Sequence, residues 1–239
     1  MKQTPLLTAF FIFFASASAQ AESFTASPAY KECSALAATN PQAALVKAEE
    51  WLKIEDGIGA YHCKAMALYG LKQYADSAAS LSLVRDRLDP KDIMLRTYVA
   101  RQASRAWVLA SRAETALATL SAQIDTMNQE GVDNATEARL TAELLLDRAT
   151  IRQQYGQNAE AVQDLDHAVS LRPSNDDVLL ARAEAFIALN DKALAKEDLQ
   201  AILRMNPTHE KAVSLMRSLR DVPTPAAAGE MPATLPKTN

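Results

Sequence analysis

The chain has 239 residues, with 25 Lys and Arg against 29 Asp and Glu, so its formal net charge is −4. Nucleic acids and anionic membranes bind surfaces of the opposite sign, so neither is an expected partner. Only six glycines occur, and no alternating β-branched run has the length of a strand, so the composition predicts helices throughout.

The N-terminus has the pattern of a secretory signal peptide. Lys2 precedes an apolar run over 6–14, and Ala19 and Ala21 supply the small residues of a cleavage site. That run is shorter than the about 20 apolar residues that a membrane-spanning helix needs. We therefore expect residues 1–21 to be removed and the protein to reach the periplasm, with secretion as the alternative. No membrane-spanning segment is expected in the mature chain.

Two cysteines follow, Cys33 and Cys63. Compartments outside the cytoplasm are oxidising, so we expect a structural disulfide. The closed loop of about 30 residues corresponds to roughly 3 kcal/mol in the chain-entropy description. A redox pair, or a nucleophile formed with His62, is the alternative. It is disfavoured because there is no C-x-x-C and because consecutive helical residues point about 100° apart.

The C-terminal half repeats itself after 34 residues, and the shift superposes apolar, small, charged and helix-breaking positions together. The matching pairs are Leu145 with Leu179, Arg148 with Arg182, Ala149 with Ala183, Ala161 with Ala195, Asp164 with Asp198, Leu165 with Leu199, and Pro173 with Pro207. A 34-residue period with a helix–turn–helix pattern resembles the tetratricopeptide repeat. The resemblance implies an all-α fold, a right-handed α-solenoid of antiparallel helix pairs over 22–220.

About five repeats follow from this pattern, at 25–57, 58–91, 92–127, 142–175 and 176–209. The spacing on both sides of the third repeat exceeds 34 residues, and we expect the extra residues to form loops at 127–133 and around Pro90. An amphipathic helix over 208–220 is expected to cover the last repeat, because a solenoid exposes apolar surface at its ends. The proline-rich residues 221–239 are expected to be disordered.

In tetratricopeptide arrays the first helix of each pair lines a concave groove that binds peptides. The resemblance therefore implies a partner-binding stripe on these helices, rotated by about 100° from the packed side chains. The stripe comprises His62, Met66, Tyr69, Arg101, Arg105, Val108, Leu146, Thr150, Gln153, Leu180, Glu184 and Ile187.

Arg101 and Arg105 are four residues apart on one helix, where like charges repel. An anionic group on a partner would remove this repulsion. Glutamates of a neighbouring helix on a solvated face are the other explanation. The lysine and asparagine set with which this family clamps a peptide carboxylate is absent.

Two further arginines recur with two aspartates. Arg148 and Arg182 stand where a large apolar side chain is usual, and Asp164 and Asp198 follow each of them after sixteen residues. A buried unpaired arginine is costly. We therefore expect structural ion pairs Arg148–Asp164 and Arg182–Asp198, with Asp164 to Arg182 across the repeat junction as the second choice.

The sequence thus favours a scaffold or adaptor that binds a protein or peptide segment. A structural subunit of an envelope assembly, serving cell-wall synthesis, secretion or cytochrome maturation, is the alternative. No enzyme motif, cofactor or metal site is expected, since no histidine pair has ligand spacing and no catalytic or phosphate-binding motif occurs. The partner and the oligomeric state are not encoded in any motif.

Overall fold

The computed structural model describes residues 24–130 and 135–221. The expected signal peptide at 1–21 and nearly all of the expected tail at 221–239 lie outside these residues. The described part contains a 3-10 turn at Phe24–Ala26 and eleven helices. They are α1 (Pro28–Thr39), α2 (Pro41–Ile54), α3 (Ile58–Gly70), α4 (Tyr74–Arg87), α5 (Ile93–Leu109), α6 (Ala113–Glu130), α7 (Ala135–Gln154), α8 (Asn158–Leu171), α9 (Asp176–Ala188), α10 (Lys192–Met205) and α11 (Glu210–Asp221).

The helices form five consecutive pairs, α1–α2 to α9–α10, followed by α11. Each helix packs mainly on its neighbours along the chain, as in an α-solenoid. The predicted all-α solenoid is confirmed, and no strand occurs in 24–130 or 135–221. Among the first helices of the pairs, α1 also packs on α3, α5 on α7, and α7 on α9. The backbones of α3 and α5 approach each other less closely, and these helices meet through side chains such as Ala65 and Ala103.

Four of the five turns within pairs have one shared backbone design. Lys72, Ser111, Gly156 and Asn190 adopt φ values of 60°, 59°, 76° and 63°, each two residues after the end of the first helix. The amide that follows each of them donates back to a carbonyl of the last helical turn, which ends the helix. The first pair differs, because Asn40 alone separates α1 from Pro41 and its side chain accepts from the amide of Ala43.

Alanine sets the distance between the two helices of a pair. Ala65, Ala103, Ala149 and Ala183 are completely or almost completely buried on successive first helices. The small side chain lets the partner helix approach closely, and larger residues such as Leu165 fill the remaining space.

The helices in the middle of the chain show that the predicted loop at 127–133 is largely helical in its first part. Helix α6 continues to Glu130 and α7 already begins at Ala135, so the extra residues mostly lengthen two helices. Met127, assigned to the loop, is buried in the same apolar cluster as Leu140. The lengthened helices bury each other's apolar side chains, which stabilises helix where the polar composition favours a loop.

The last helix closes the C-terminal end. Ala212, Met216 and Leu219 of α11 are buried on α10 and α9, while Lys211 and Arg217 remain exposed. This is the covering role that the sequence predicts for 208–220.

Candidate functional site

The first helix is held to the rest of the solenoid by a covalent tie. Cys33 of α1 and Cys63 of α3 form the predicted disulfide, with Cα atoms 6.0 Å apart and both side chains fully buried. Only three of the twelve residues of α1 are buried. Because so little surface holds α1 by packing, the disulfide fixes its position.

A buried hydrogen-bond chain links three first helices. The Tyr30 hydroxyl on α1 lies 2.8 Å from Nδ1 of His62 on α3, and His62 Nε2 lies 3.0 Å from Oε1 of Gln102 on α5. Tyr30 therefore donates to a neutral imidazole, which donates to Gln102. Burial lowers the pKa of His62, opposed by the bond to Gln102. Burial, with Tyr98 nearby, raises the pKa of Tyr30 to about 12.

A cleft of about 570 Å³ is lined by side chains of α1 to α5. We call it the α3–α5 cleft. Its lining includes Met66 and Tyr69 of α3, Gln102 and Arg105 of α5 and Leu81 of α4, together with Ser34, Ala37 and Ala38 of α1. Small and apolar side chains dominate this lining, which is typical of a binding site.

Gly70 allows one wall of the α3–α5 cleft to form. A Cβ at this position would lie 2.6 Å from Cγ of Pro41 and 2.9 Å from its Cβ. The end of α3 and the start of α2 therefore meet at a distance that only glycine permits.

Arg101 is paired inside the protein. Its Nη1 contacts Glu143 and its Nε lies 2.5 Å from Oδ2 of Asp147, both on α7. Arg139 pairs with the same Glu143 at 2.6 Å. Carboxylates of a neighbouring helix, the second of the two explanations above, thus account for Arg101, although one of them is an aspartate.

Arg105 is the cation that this cluster leaves open to solvent. Its side chain is 63% exposed and lies 3.8 Å from Asp147, which Arg101 already engages. Three arginines, 101, 105 and 139, face two carboxylates, 143 and 147, so the cluster has one positive charge in excess. That charge is available at the edge of the α3–α5 cleft.

Beyond α5, most of the predicted stripe serves internal contacts. Gln153 donates to the Ala181 carbonyl at 2.8 Å, Glu184 pairs with Lys211 at 2.8 Å, and Thr150 bonds within its own helix. Val108, Leu146 and Ile187 pack against apolar clusters. Two residues of the predicted partner-binding stripe are buried: His62 contacts Tyr30 and Phe24, and Leu180 lies in the cluster that contains Met216.

Sequence reasoning missed three exposed apolar residues of α5. Met94 and Tyr98 are each 60% exposed, and Leu109 is nearly half exposed. They lie on the same helical face as Arg105, at spacings of eleven, seven and four residues from it. The signal was the same helical periodicity, continued from Arg105 in both directions along α5.

The predicted ion pairs form in the fourth and fifth helix pairs. Arg148 Nε lies 3.0 Å from Asp164 Oδ2, and Arg182 Nε lies 2.9 Å from Asp198 Oδ2. The hydrogen bond to Asp198 and the neighbouring Asp166 raise the pKa of Arg182 against the effect of burial. The second-choice contact does not form.

Additional partners complete both networks. Asp164 also accepts from Arg152 at 2.7 Å, while Arg182 reaches across the repeat junction to Asp166 at 2.8 Å. Arg148 donates in addition to Ser121 of α6. All of these arginines are used to hold helices together and none faces the α3–α5 cleft.

Comparison with known proteins agrees with this geometry. Residues 176–209 match the tetratricopeptide repeat family. The fifth helix pair, α9–α10, therefore contains a tetratricopeptide repeat.

Solved structures of repeat proteins share this fold. YrrB aligns at a TM-score of 0.57 with 15% identity, covering 82% of this chain and 99% of that one. MamA from Desulfovibrio magneticus RS-1 aligns at 0.55 with 15% identity, covering 77% and 98%, and a MamA RS-1 double mutant aligns at 0.56 with 16% identity, covering 77% and 98%. No curated protein matches the sequence.

The family match and the α3–α5 cleft fall on different helix pairs. The match covers the fifth pair, whereas residues of the first three pairs line the cleft. Within 24–130 and 135–221, no helix is long and apolar enough to cross a membrane, and no group of His, Cys, Asp and Glu could hold a metal ion.

Proposed function

We propose that this protein is an interaction scaffold that binds a protein segment in the α3–α5 cleft. One observation carries the proposal: along the stripe, the side chains from α7 onward are bonded or packed internally, whereas Tyr69 and Arg105 are exposed at the cleft, which Met66 also lines while packing on buried side chains. YrrB, which has the same fold, is described as having an unusual peptide-binding site. Binding here means positioning a partner, with no chemical step.

The electrostatics of the cleft suggest how binding responds to salt. Arg105 lies at the rim, so an acidic group on the partner would approach it in partly solvated surroundings. Rim charges mainly increase the association rate and are screened by salt. The apolar contacts to Met66 and Tyr69 would then set most of the dissociation rate.

Two similarly exposed tyrosines, one in the cleft and one outside it, test where the partner segment binds. Peptides of about 16 residues, long enough for a helix of some 24 Å, are selected from a random displayed library on the oxidised protein. Tyr69→Ser should weaken the selected peptides about tenfold, as expected for an aromatic anchor. Tyr155→Ser, at the end of α7 and similarly exposed, should leave affinity unchanged. Equal effects of the two substitutions, or no selected peptide that depends on the cleft, would refute the proposal.

We further propose a periplasmic location. The signal-peptide pattern of residues 1–21 and the buried disulfide between Cys33 and Cys63 support it. Intact mass of the protein purified from a bacterial periplasm should correspond to a start near Glu22 with two hydrogens lost. An uncleaved chain, or two free thiols in material never exposed to reductant, would contradict this.

A further inference from the structure

The exposed face of α5 has the spacing of a coiled-coil seam. Met94, Tyr98, Arg101, Arg105 and Val108 follow one another at intervals of four, three, four and three residues. These are the a and d intervals of a heptad, which place side chains in one line facing a second helix. The line is about 21 Å long at 1.5 Å per residue.

The chemistry along this seam changes from end to end. Met94 and Tyr98 form an exposed apolar end, and Leu109, next to the packed Val108, forms the other. Arg101 between them is neutralised by α7, while Arg105 keeps its charge exposed. A complementary partner therefore has apolar side chains at both ends and a carboxylate opposite Arg105.

The space beside the seam favours a helix over an extended segment. The α3–α5 cleft meets the seam at Arg105, and Met66 and Tyr69 of α3 also line the cleft. An extended segment would lay unpaired backbone groups against helices whose own backbone groups are already bonded. A helix satisfies its own backbone and repeats its side chains at the period of the seam.

Bonded side chains cover the surface between α5 and α9 that a partner segment would otherwise cross. Arg101 joins α5 to Glu143 and Asp147, and Gln153 joins α7 to α9. A segment crossing toward α9 would have to lie over these bonded groups. The surface that stays open runs lengthwise along α5.

We infer that the partner segment is an amphipathic helix with a central acidic residue, and that it lies along the exposed face of α5 with this residue at Arg105, where that face meets the α3–α5 cleft. This inference rests on the proposed function and specifies the conformation, direction and charge of the bound segment. The interaction is of the helix-in-groove kind.

Peptides selected as above test the inference. Binders should show apolar residues at intervals of three and four around one Asp or Glu, and should gain helical circular dichroism on binding. Tyr98→Ala and Leu109→Ala should each weaken them about tenfold, and Thr150→Ala, exposed but bonded only within α7, should not. Arg105→Gln and replacement of the peptide's acid by its amide should each cause a loss and should not add when combined.

The outcomes separate the two proposals. Peptides that depend on Tyr69 but bind without helix formation, or ignore Tyr98 and Leu109, would overturn this inference and leave the proposed function standing. Selected peptides that depend on none of Tyr69, Tyr98 and Leu109, or a selection that yields no binder above a scrambled control, would overturn both.

Discussion

The two ends of the solenoid are held together by different means. In α1–α5 the ties are a disulfide, the chain from Tyr30 through His62 to Gln102, and close contacts such as Gly70 with Pro41. In α7–α10 they are leucine packing and arginine–aspartate pairs that recur from repeat to repeat. The first region contains the α3–α5 cleft, at which Tyr69 and Arg105 stay exposed. In the second region the corresponding side chains are bonded or packed.

This difference shows where repeat proteins keep room for function. The fifth pair follows the family pattern closely enough to match it, and its side chains are used for stability. The candidate site lies in repeats that depart from the pattern. The disulfide and the chain from Tyr30 to Gln102 are ties that the repeat pattern does not supply.

The largest expected effect is at Asp164 in the C-terminal region. Asp164→Ala would leave Arg148 and Arg152 without their buried carboxylate, so the free energy of unfolding should fall by about 3 kcal/mol. Asp166→Ala is the control, because Asp166 is 56% exposed and pairs from the surface, and it should cost under about 1 kcal/mol. Urea unfolding of both variants measures the contrast, and equal small losses would contradict it.

The same account applies to Arg182 and Asp198. In a double-mutant cycle the two substitutions should couple strongly, because each alone strands its buried partner. Additive and small changes in the unfolding midpoint would show that the pair contributes little.

Removal of the disulfide tests how the N-terminal region is held together. Replacing Cys33 and Cys63 together by alanine should lower the free energy of opening α1 by about 3 kcal/mol, because the bond closes the chain and α1 has little other buried surface. Hydrogen exchange should therefore accelerate in α1 and remain unchanged in α9 and α10. Unchanged exchange in α1 would mean that packing alone holds it.

Two glycines separate steric from conformational requirements. Gly70→Ala should cost about 2 kcal/mol, because the new Cβ would overlap the ring of Pro41. Gly156→Ala, with φ at 76° and no atom within 4 Å of the new Cβ, should cost about 1 kcal/mol from backbone strain alone. Adding Pro41→Ala should recover part of the first loss and none of the second. Thermal unfolding of these variants measures the losses. If Pro41→Ala recovers no stability, the strain of Gly70→Ala does not come from contact with Pro41.

His62 is expected to have the smallest effect on the free energy of unfolding, and this effect depends on pH. Burial lowers its pKa in the folded state below the ordinary 6.5. The unfolded chain therefore takes up the proton first as pH falls below 6.5, and the free energy of unfolding decreases by at most about 1.4 kcal/mol per pH unit. Above that pH this contribution is constant. Urea unfolding between pH 7.5 and 5 should show the decrease in the wild type relative to His62→Gln, and parallel curves would contradict it.

How much the sequence predicts depends on the regularity of the repeats. The pairing of Arg148 with Asp164 could be predicted because it recurs after 34 residues in a repeat of standard length. The partners of Arg101 could not, since Glu143 and Asp147 follow it by 42 and 46 residues across lengthened helices that no fixed shift aligns. The burial of His62 likewise depends on Tyr30, which belongs to another repeat.

The most direct test of the contrast between the open α3–α5 cleft and the closed C-terminal repeats is hydrogen exchange of the wild-type protein with and without a selected peptide. We expect the bound peptide to slow exchange in α3 around Tyr69 and in α5 from Tyr98 to Leu109, and to leave exchange in α9 and α10 unchanged. Protection centred on α9, from Leu180 to Ile187, would place binding in the region that we describe as closed and would contradict the account.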